Sequence, residues 1–261
     1  MRAIVRFVAL LGGLGLVAVI AACGGGGEVS PTAIPASPTS TLTAAPSAVA
    51  SMTDEERAAE ALLKAAALQA EDLPSGLTLA EEKFTTNEDE AEQENILPGS
   101  PTAEDLSRWG RILGYQASYS PQTQTITTGA TLSFLVETDI YRDAKGADEH
   151  FAVISQQPSD PAFITWFQED AKAAGADVQN AIVSPLPFIE VGDNRMAVEL
   201  RLTALYADSD QELNFITQII GIRRDRALGF ITMITLDSPS PVGVLEDLTR
   251  TLDQRMKDAL E

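Results

Sequence analysis

The sequence predicts an α+β domain in which an antiparallel sheet of about five to six strands is covered by helices. Several segments alternate apolar and polar residues with a period of two, which is typical of half-buried strands. Short turns join neighbouring strands, and the helices come in separate blocks between and after the strands, which favours antiparallel pairing over a parallel sheet. The predicted order is α-(β)-ββ-αα-βββ-α, where the parentheses mark a weakly indicated strand.

The first predicted element is a helix that begins with a capping box. Residues 53–56 read Thr-Asp-Glu-Glu, and an Ala- and Leu-rich segment with helical spacing follows. Residues 73–76, Leu-Pro-Ser-Gly, end this helix, and Leu77 and Leu79 then indicate a short strand. Residues 81–105 are acidic and poor in apolar side chains, which predicts a solvated loop.

Two alternating segments, residues 113–119 and 132–140, predict a β-hairpin. After it, Asp143 and the pair Asp160-Pro161 are typical helix starts, so two consecutive helices are expected.

The strongest strand pattern lies in residues 196–206, where apolar positions alternate with polar and charged ones without interruption. Residues 213–223 and 228–236 follow after short turns, so the three segments predict an antiparallel meander. A closing amphipathic helix is expected after Pro241.

Charge and rare residues exclude several functional classes. The chain of 261 residues has 18 Lys and Arg against 38 Asp and Glu, a formal net charge of −20, which disfavours nucleic acid as a partner. It contains one Cys and one His, so an intramolecular disulfide, a cysteine-based zinc site and a histidine-rich metal site are all excluded. We therefore expect no metal and no cofactor.

The N-terminus has the layout of a signal peptide over residues 1–22. Arg2 and Arg6 precede an uncharged run over residues 7–22, and this apolar region is shorter than the roughly 20 residues of a spanning helix. The alternatives are an ordinary signal peptide with an incidental Cys, or an uncleaved anchor. The sequence Ile20-Ala21-Ala22-Cys23 resembles the lipobox of bacterial lipoproteins. The resemblance implies that Cys23 receives a diacylglycerol, becomes the new N-terminus and carries acyl chains such as palmitate in a membrane outside the cytoplasm.

A tether and a single domain are expected after the leader. Residues 23–52 comprise Cys23 and a Gly-, Pro-, Ser- and Thr-rich stretch with one charged residue, which predicts a disordered linker. Residues 53–261 then form the α+β domain.

The order of elements over residues 73–258 resembles that of the extracytoplasmic domains of the PknH-sensor type and of Mog1/PsbP-like lipoproteins. This resemblance carries no diagnostic motif. It implies a domain that binds or senses a small molecule or a protein rather than one that catalyses a reaction.

Two groups of residues are candidate contacts. Arg223, Arg224 and Arg226 surround a predicted turn, and three guanidinium groups can hold an anion or an acidic partner, although a charged turn tip would look the same. Trp166 lies in a helix that is apolar on more than one side, which suggests either core packing or an apolar contact surface.

Catalysis is not expected, and no catalytic residue is assigned. His150, the one imidazole, borders the apolar stripe of its helix and has no nucleophile motif as a partner. The alternatives are an envelope hydrolase in which Glu199 pairs with Glu137 or Asp139, and a carrier with a cavity for an apolar ligand.

Overall fold

A computed structural model describes residues 53–94, 100–121, 131–173, 176–206 and 211–261. Cys23 and the expected leader and tether therefore lie outside the described residues. The fold is α+β, as predicted, and is built on a single antiparallel sheet. Its seven strands are β1 (Leu77–Thr85), β2 (Arg111–Pro121), β3 (Thr131–Tyr141), β4 (Ala176–Pro185), β5 (Asn194–Tyr206), β6 (Gln211–Arg224) and β7 (Ala227–Leu236).

The described helices are α1 (Asp54–Ala66), α2 (Asn87–Glu94), α3 (Ala103–Arg108), α4 (Ala144–Gln156), α5 (Pro161–Ala173) and α6 (Val242–Leu260). Short 3₁₀ turns occupy Ala70–Asp72 and Gln157–Ser159. The helix α1 begins with the predicted capping box between Thr53 and Glu56.

The strands are ordered β1-β2-β3-β7-β6-β5-β4 across the sheet. Each half is a meander, one of β1 to β3 and one of β4 to β7, and the two meet where β3 pairs with β7. The pair of helices α4 and α5 carries the chain from the centre of the sheet to its far edge, where β4 begins.

Side-chain alternation gives the sheet two faces, which we call front and back. The front face is the one that carries Glu137, and the back face carries Tyr115. On the back, α1 and α6 cover a core that includes Leu63, Val136 and Leu252. On the front, α4 and α5 cover a second core built mainly on β5, β6 and β7.

The front face of β1, β2 and β3 is polar at one end, and a buried ion network fills it. The guanidinium group of Arg111 donates to Glu90 Oε2 at 2.7 Å and to Asp139 Oδ1 at 2.8 Å. It also donates to the carbonyl and hydroxyl oxygens of Thr85, at 3.1 and 2.9 Å, and to Asn87 Oδ1 at 3.1 Å. Arg111 thus binds β1, β3 and α2 at once.

Both edge strands are irregular. The register of β1 against β2 shifts between Leu79 and Glu81, and that of β4 against β5 shifts between Val178 and Asn180. Such shifts mark β-bulges, which locally interrupt the hydrogen-bond ladder and increase the twist.

Three details of the sequence-based prediction were wrong. The sheet has seven strands rather than five to six because β4 was missed, so the second meander has four strands. The weak first strand does not end after Leu79 but runs to Thr85. The acidic segment 81–105 is not a solvated loop throughout, since it contains α2 and the start of α3.

Capping boxes explain the two helices in that acidic segment. The Asp89 backbone N–H donates to Thr86 Oγ1 at 3.2 Å, and Asp89 Oδ2 accepts from the Thr86 backbone N–H at 3.0 Å. This backbone hydrogen bond lowers the pKa of Asp89. Thr102 and Asp105 form the same reciprocal pair at the start of α3.

Gly114 is packed so closely against the ion network that no larger side chain fits there. A Cβ atom there would lie 2.6 Å from Thr85 Oγ1 and closer still to Arg111 and Asp139. We expect Gly114→Ala to reduce the free energy of unfolding by about 3 kcal/mol or more, because breaking a buried ion pair leaves charges uncompensated. Urea denaturation of the variant measures this loss.

Gly243→Ala is the matched control. Gly243 lies in the exposed first turn of α6, and an added Cβ would meet no atom within 4 Å. The change should leave stability unaltered or raise it by up to about 1 kcal/mol. If Gly114→Ala and Gly243→Ala are equally stable, the ion network around Arg111 tolerates an added methyl group at Gly114.

Candidate functional site

A diagonal line of buried polar side chains crosses the front face. Gln116 lies directly opposite Glu137 in the β2–β3 register. Thr232 is diagonal to Glu137, because Phe230 is the residue opposite Glu137 in β7. Thr217 is in turn diagonal to Thr232, whose opposite residue in β6 is Ile219. We call these four residues, from four adjacent strands, the polar strip.

The polar strip is buried and incompletely hydrogen-bonded. None of its residues is more than 3% exposed. Gln116 Nε2 donates to Glu137 Oε1. Within the described part of the chain, Gln116 Oε1, Thr217 Oγ1 and Thr232 Oγ1 make no hydrogen bond.

Such unmatched atoms are uncommon in folded proteins, where most buried polar atoms are paired. Leaving one unpaired costs about 1–3 kcal/mol, because it has lost water and gained no partner. Three of them on one sheet face therefore mark a place where added hydrogen-bonding groups would be stabilised. The polar strip is the candidate functional site of this domain, and its side chains are enclosed rather than exposed to solvent.

His150 is fully buried, which corrects the expectation of a boundary position on α4. Its Nδ1 is hydrogen-bonded to the Tyr141 hydroxyl, and its ring stacks on Trp109 with centroids 5.0 Å apart. The strand end that carries Tyr141 and the cap of α3 that carries Trp109 enclose this helix face. The surroundings are those of a packed core residue rather than of a base that meets substrate.

The residues proposed as a carboxylate pair do not face each other. Glu137 and Asp139 lie on the front face, whereas strand pairing through Phe230, Gly221 and Met196 puts Glu199 on the back. Glu199 accepts from Arg201 at 2.7 Å and from Gln218 at 3.4 Å. The sheet therefore separates Glu199 from both proposed partners, and Asp139 is engaged by Arg111.

The arginine cluster lies at the β6–β7 turn, where the structure supplies carboxylate partners from the same chain. Arg224 donates to both oxygens of Asp253 on α6, at 2.8 and 2.6 Å, and this hydrogen bonding raises its pKa. Arg223 Nε lies 3.2 Å from Asp148 Oδ1, and Arg223 Nη1 lies 3.4 Å from Asp193 Oδ2. Binding of an external anion here would have to compete with these pairs.

Arg226 is the third member of the cluster and has a different environment. Its Nη1 donates to the backbone carbonyl of Tyr141 at 3.2 Å. Beside the turn, residues 186–188 and 190–197 line a surface groove of about 670 Å³. The groove and the turn meet at Asp193, which also accepts from the Asp225 backbone N–H at 2.6 Å.

Two further predicted contacts remain predictions. Trp166 belongs to α5, but its side chain is outside the described part of the structure, and so is all of Cys23. In the described ranges, no helix has the length and apolarity needed to cross a bilayer. Nor do three or more His, Cys, Asp or Glu side chains converge there in a way that suits a metal ion.

Sequence reasoning missed the polar strip, although part of its signal was present. Gln116 and Ser118 alternate with the apolar residues of β2, so a polar front face was readable. Thr232 falls at an apolar position in the alternation of β7. Threonine is common in buried strands, so the sequence does not show that its hydroxyl lacks a partner. What joins the four residues is the β3–β7 pairing, which no local pattern shows.

Arg224→Gln tests whether the cluster is structural. Losing the bidentate contact with Asp253 should lower the free energy of unfolding by about 1 kcal/mol. The loss is modest because both side chains are partly exposed and solvent weakens the ion pair. Arg250→Gln is the control, because Arg250 pairs on the surface of α6 with Glu246 and Asp247 and should contribute close to nothing. Thermal or urea unfolding compares the two. If Arg224→Gln leaves the free energy of unfolding unchanged, Arg224 is not needed for stability and is available to an external anion.

Comparison with known proteins gives two distant structural similarities. No protein-family model matches the chain, and no curated protein matches it. One similar structure is the extracellular domain of PknH from Mycobacterium tuberculosis, at 10% identity and a TM-score of 0.40, covering 80% of this chain and 96% of that one. Another is an uncharacterized protein from Mycobacterium smegmatis, at 12% identity and a TM-score of 0.33, covering 79% and 98%. Both TM-scores are below 0.5.

Proposed function

We propose that this protein is an extracytoplasmic lipoprotein whose folded domain binds or senses a ligand without catalysing a reaction. Cys23 carries the lipid, residues 24–52 form a tether, and residues 53–261 form the binding domain. The partners are the membrane, through the lipid, and a small molecule or protein that the domain recognises.

The polar strip is the observation that carries the binding function. It offers unmatched hydrogen-bonding atoms on a sheet face, with residues from four strands holding them in fixed positions. A histidine-dependent hydrolase needs a nucleophile beside its imidazole, and a carboxylate-based hydrolase needs two carboxylates facing one site. Against this, His150 is enclosed by Tyr141 and Trp109, and Glu199 is across the sheet from Glu137.

The proposed lipid anchor is inferred from the signal-peptide pattern of the N-terminus. A basic start, a short apolar run and Ile20-Ala21-Ala22-Cys23 are what a lipoprotein signal peptide requires, and Cys23 is the sole cysteine of the chain. One acyl chain holds a membrane only marginally, whereas two or more hold it stably. The acidic domain adds no attraction to anionic lipids, so retention depends on the acyl chains.

The start of the domain is supported by the contacts of α1. Besides its capping box, α1 is tied to the sheet by Arg142, which donates to both carboxylate oxygens of Glu55 at 3.0 and 2.9 Å. This bidentate pair lowers the pKa of Glu55, because the hydrogen bonds stabilise its charged form.

Replacing Cys23 by Ser tests the anchor. A thioether-linked lipid then has no attachment site, so the protein should leave the detergent phase in a phase-partitioning assay or accumulate as an unprocessed precursor. Mass spectrometry of the N-terminal peptide should show the acyl mass in the wild type alone. Ser30→Ala, a change in the tether, should behave as wild type. Unchanged partitioning of Cys23→Ser would contradict lipidation.

Limited proteolysis tests the division between tether and domain. The chain has no Lys or Arg between Arg6 and Arg57, so a protease of broad specificity is needed rather than trypsin. The first cuts should fall between Gly24 and Met52 and release a stable fragment that begins near Thr53. First cuts within residues 194–236 would contradict a domain built around this sheet.

A further inference from the structure

We propose that α2 is a latch that opens and closes while the sheet stays folded, and that the ion pair between Glu90 and Arg111 keeps it closed. Opening uncovers the guanidinium group of Arg111, which is fully buried in the closed form. This inference goes beyond the proposed function and does not depend on which ligand the domain binds. It follows from the composition of α2, from its contacts and from the partner that Arg111 keeps in the sheet.

The composition of α2 makes this helix unstable by itself. Its eight residues, Asn-Glu-Asp-Glu-Ala-Glu-Gln-Glu, contain five carboxyl groups and no basic side chain. Glu88 and Glu92 have the same charge and lie four positions apart, which disfavours the helix. Helices shorter than about 12 residues are marginal in water even without such repulsion. The helix α2 therefore depends on its contacts with the rest of the domain.

Apolar packing contributes little to holding α2. Its one apolar residue is Ala91, which has a small side chain and is only half-buried. Among residues 87–92, whose burial is described, Glu90 alone is fully buried. The side chain that α2 inserts into the domain is thus a charged one.

Polar contacts hold α2 to the sheet. Arg111 Nη2 donates to Glu90 Oε2 at 2.7 Å, and Arg111 Nη1 donates to Asn87 Oδ1 at 3.1 Å. Asn87 Nδ2 donates to the Arg111 backbone carbonyl at 3.2 Å and to Ser107 Oγ at 3.1 Å, and Thr85 Oγ1 donates to Glu90 Oε2 at 3.4 Å. Of these bonds, the one between Arg111 and Glu90 alone joins opposite charges, which makes it the strongest.

The sheet keeps an ion pair of its own when α2 leaves. Asp139 accepts from Nε and Nη2 of Arg111, at 3.1 and 2.8 Å, and both residues belong to strands. In the open form Arg111 retains this carboxylate and gains water, so no charge stays buried without a partner. Glu90 becomes solvated at the same time. Opening of α2 therefore costs less than unfolding of the sheet, as expected for a small unit with few apolar contacts.

Hydrogen–deuterium exchange of the full chain in detergent, followed by peptide mass spectrometry, tests whether α2 opens separately. The amides of α2 should be protected about a hundredfold less than those of β7, all of whose residues are buried. Their exchange should also depend little on urea below the unfolding transition, because opening of α2 exposes little surface. Equal protection and equal urea dependence of α2 and β7 would mean that α2 opens only with the whole domain, and the proposal would be wrong.

Glu90→Ala tests the ion pair. The change removes the carboxylate, whereas alanine keeps a high helix propensity. Protection of the α2 amides should fall by about tenfold or more, because a hydrogen bond between charged groups is lost. Glu90→Gln gives a second variant in case Glu90→Ala does not fold, and it should show a smaller loss in the same peptides. Unchanged protection of α2 in both variants would overturn the proposal.

Glu88→Ala is the matched control. Glu88 lies in the same first turn of α2 and carries the same charge, but its side chain is exposed. Its removal should change the protection of α2 by about threefold or less, because one favourable contact with the helix N-terminus and one repulsion by Glu92 are lost together. If Glu88→Ala and Glu90→Ala lose protection equally, the ion pair is not what closes α2.

Chemical labelling tests whether opening uncovers Arg111. Phenylglyoxal reacts with accessible guanidinium groups, and Arg250, which is exposed on α6, is the internal reference. Labelling of Arg111 relative to Arg250 should rise about tenfold in Glu90→Ala and stay at the wild-type level in Glu88→Ala, since both measurements report the open fraction. Arg111 labelling that does not rise in Glu90→Ala would contradict the proposal.

Discussion

Arg111 holds one end of the sheet together, because its guanidinium group is shared by β1, β3 and α2. Two buried carboxylates, Glu90 and Asp139, contact it, and the absence of a side chain at Gly114 leaves room for Arg111, Asp139 and Thr85. Burying charges is costly unless they are paired and hydrogen-bonded, so this arrangement is stable only when every member is in place. It fixes the register of the strands that continue into the polar strip.

The front face consequently divides into two regions with different tasks. Over β5, β6 and β7 it carries the apolar core beneath α4 and α5, and this core also encloses Thr217 and Thr232 of the polar strip. Over β2 and β3 it carries charged and amide side chains, first the ion network at Asp139 and then the incompletely hydrogen-bonded pair Gln116 and Glu137. At the boundary between the two regions the ion network adjoins the incompletely hydrogen-bonded atoms of the polar strip.

The sequence predicted the fold class well, and the candidate site poorly. Period-two alternation is a local property, so the strand with the apolar series Met196 to Tyr206 was identified without a partner. The edge strand β4 escaped because Asp177, Asn180 and Ser184 give it a polar composition with no clear alternation. Whether Glu199 faces Glu137 depends on three strand pairings, β3 with β7, β7 with β6 and β6 with β5, and a one-residue shift in any of them inverts the face. The site depends on which residues of adjacent strands lie opposite each other, and the alternation within a single strand does not show this.

The bulges in β1 and β4 bear on the lipid anchor proposed above, because an anchored form would be crowded with its neighbours. Anchored molecules are confined to two dimensions, where neighbours collide far more often than in free solution. An unprotected sheet edge would then invite strand-to-strand joining into continuous ribbons. With an interrupted ladder at Leu79–Glu81 on one edge and at Val178–Asn180 on the other, neither border offers a long regular template. Dense packing on a bilayer is therefore compatible with each molecule remaining separate.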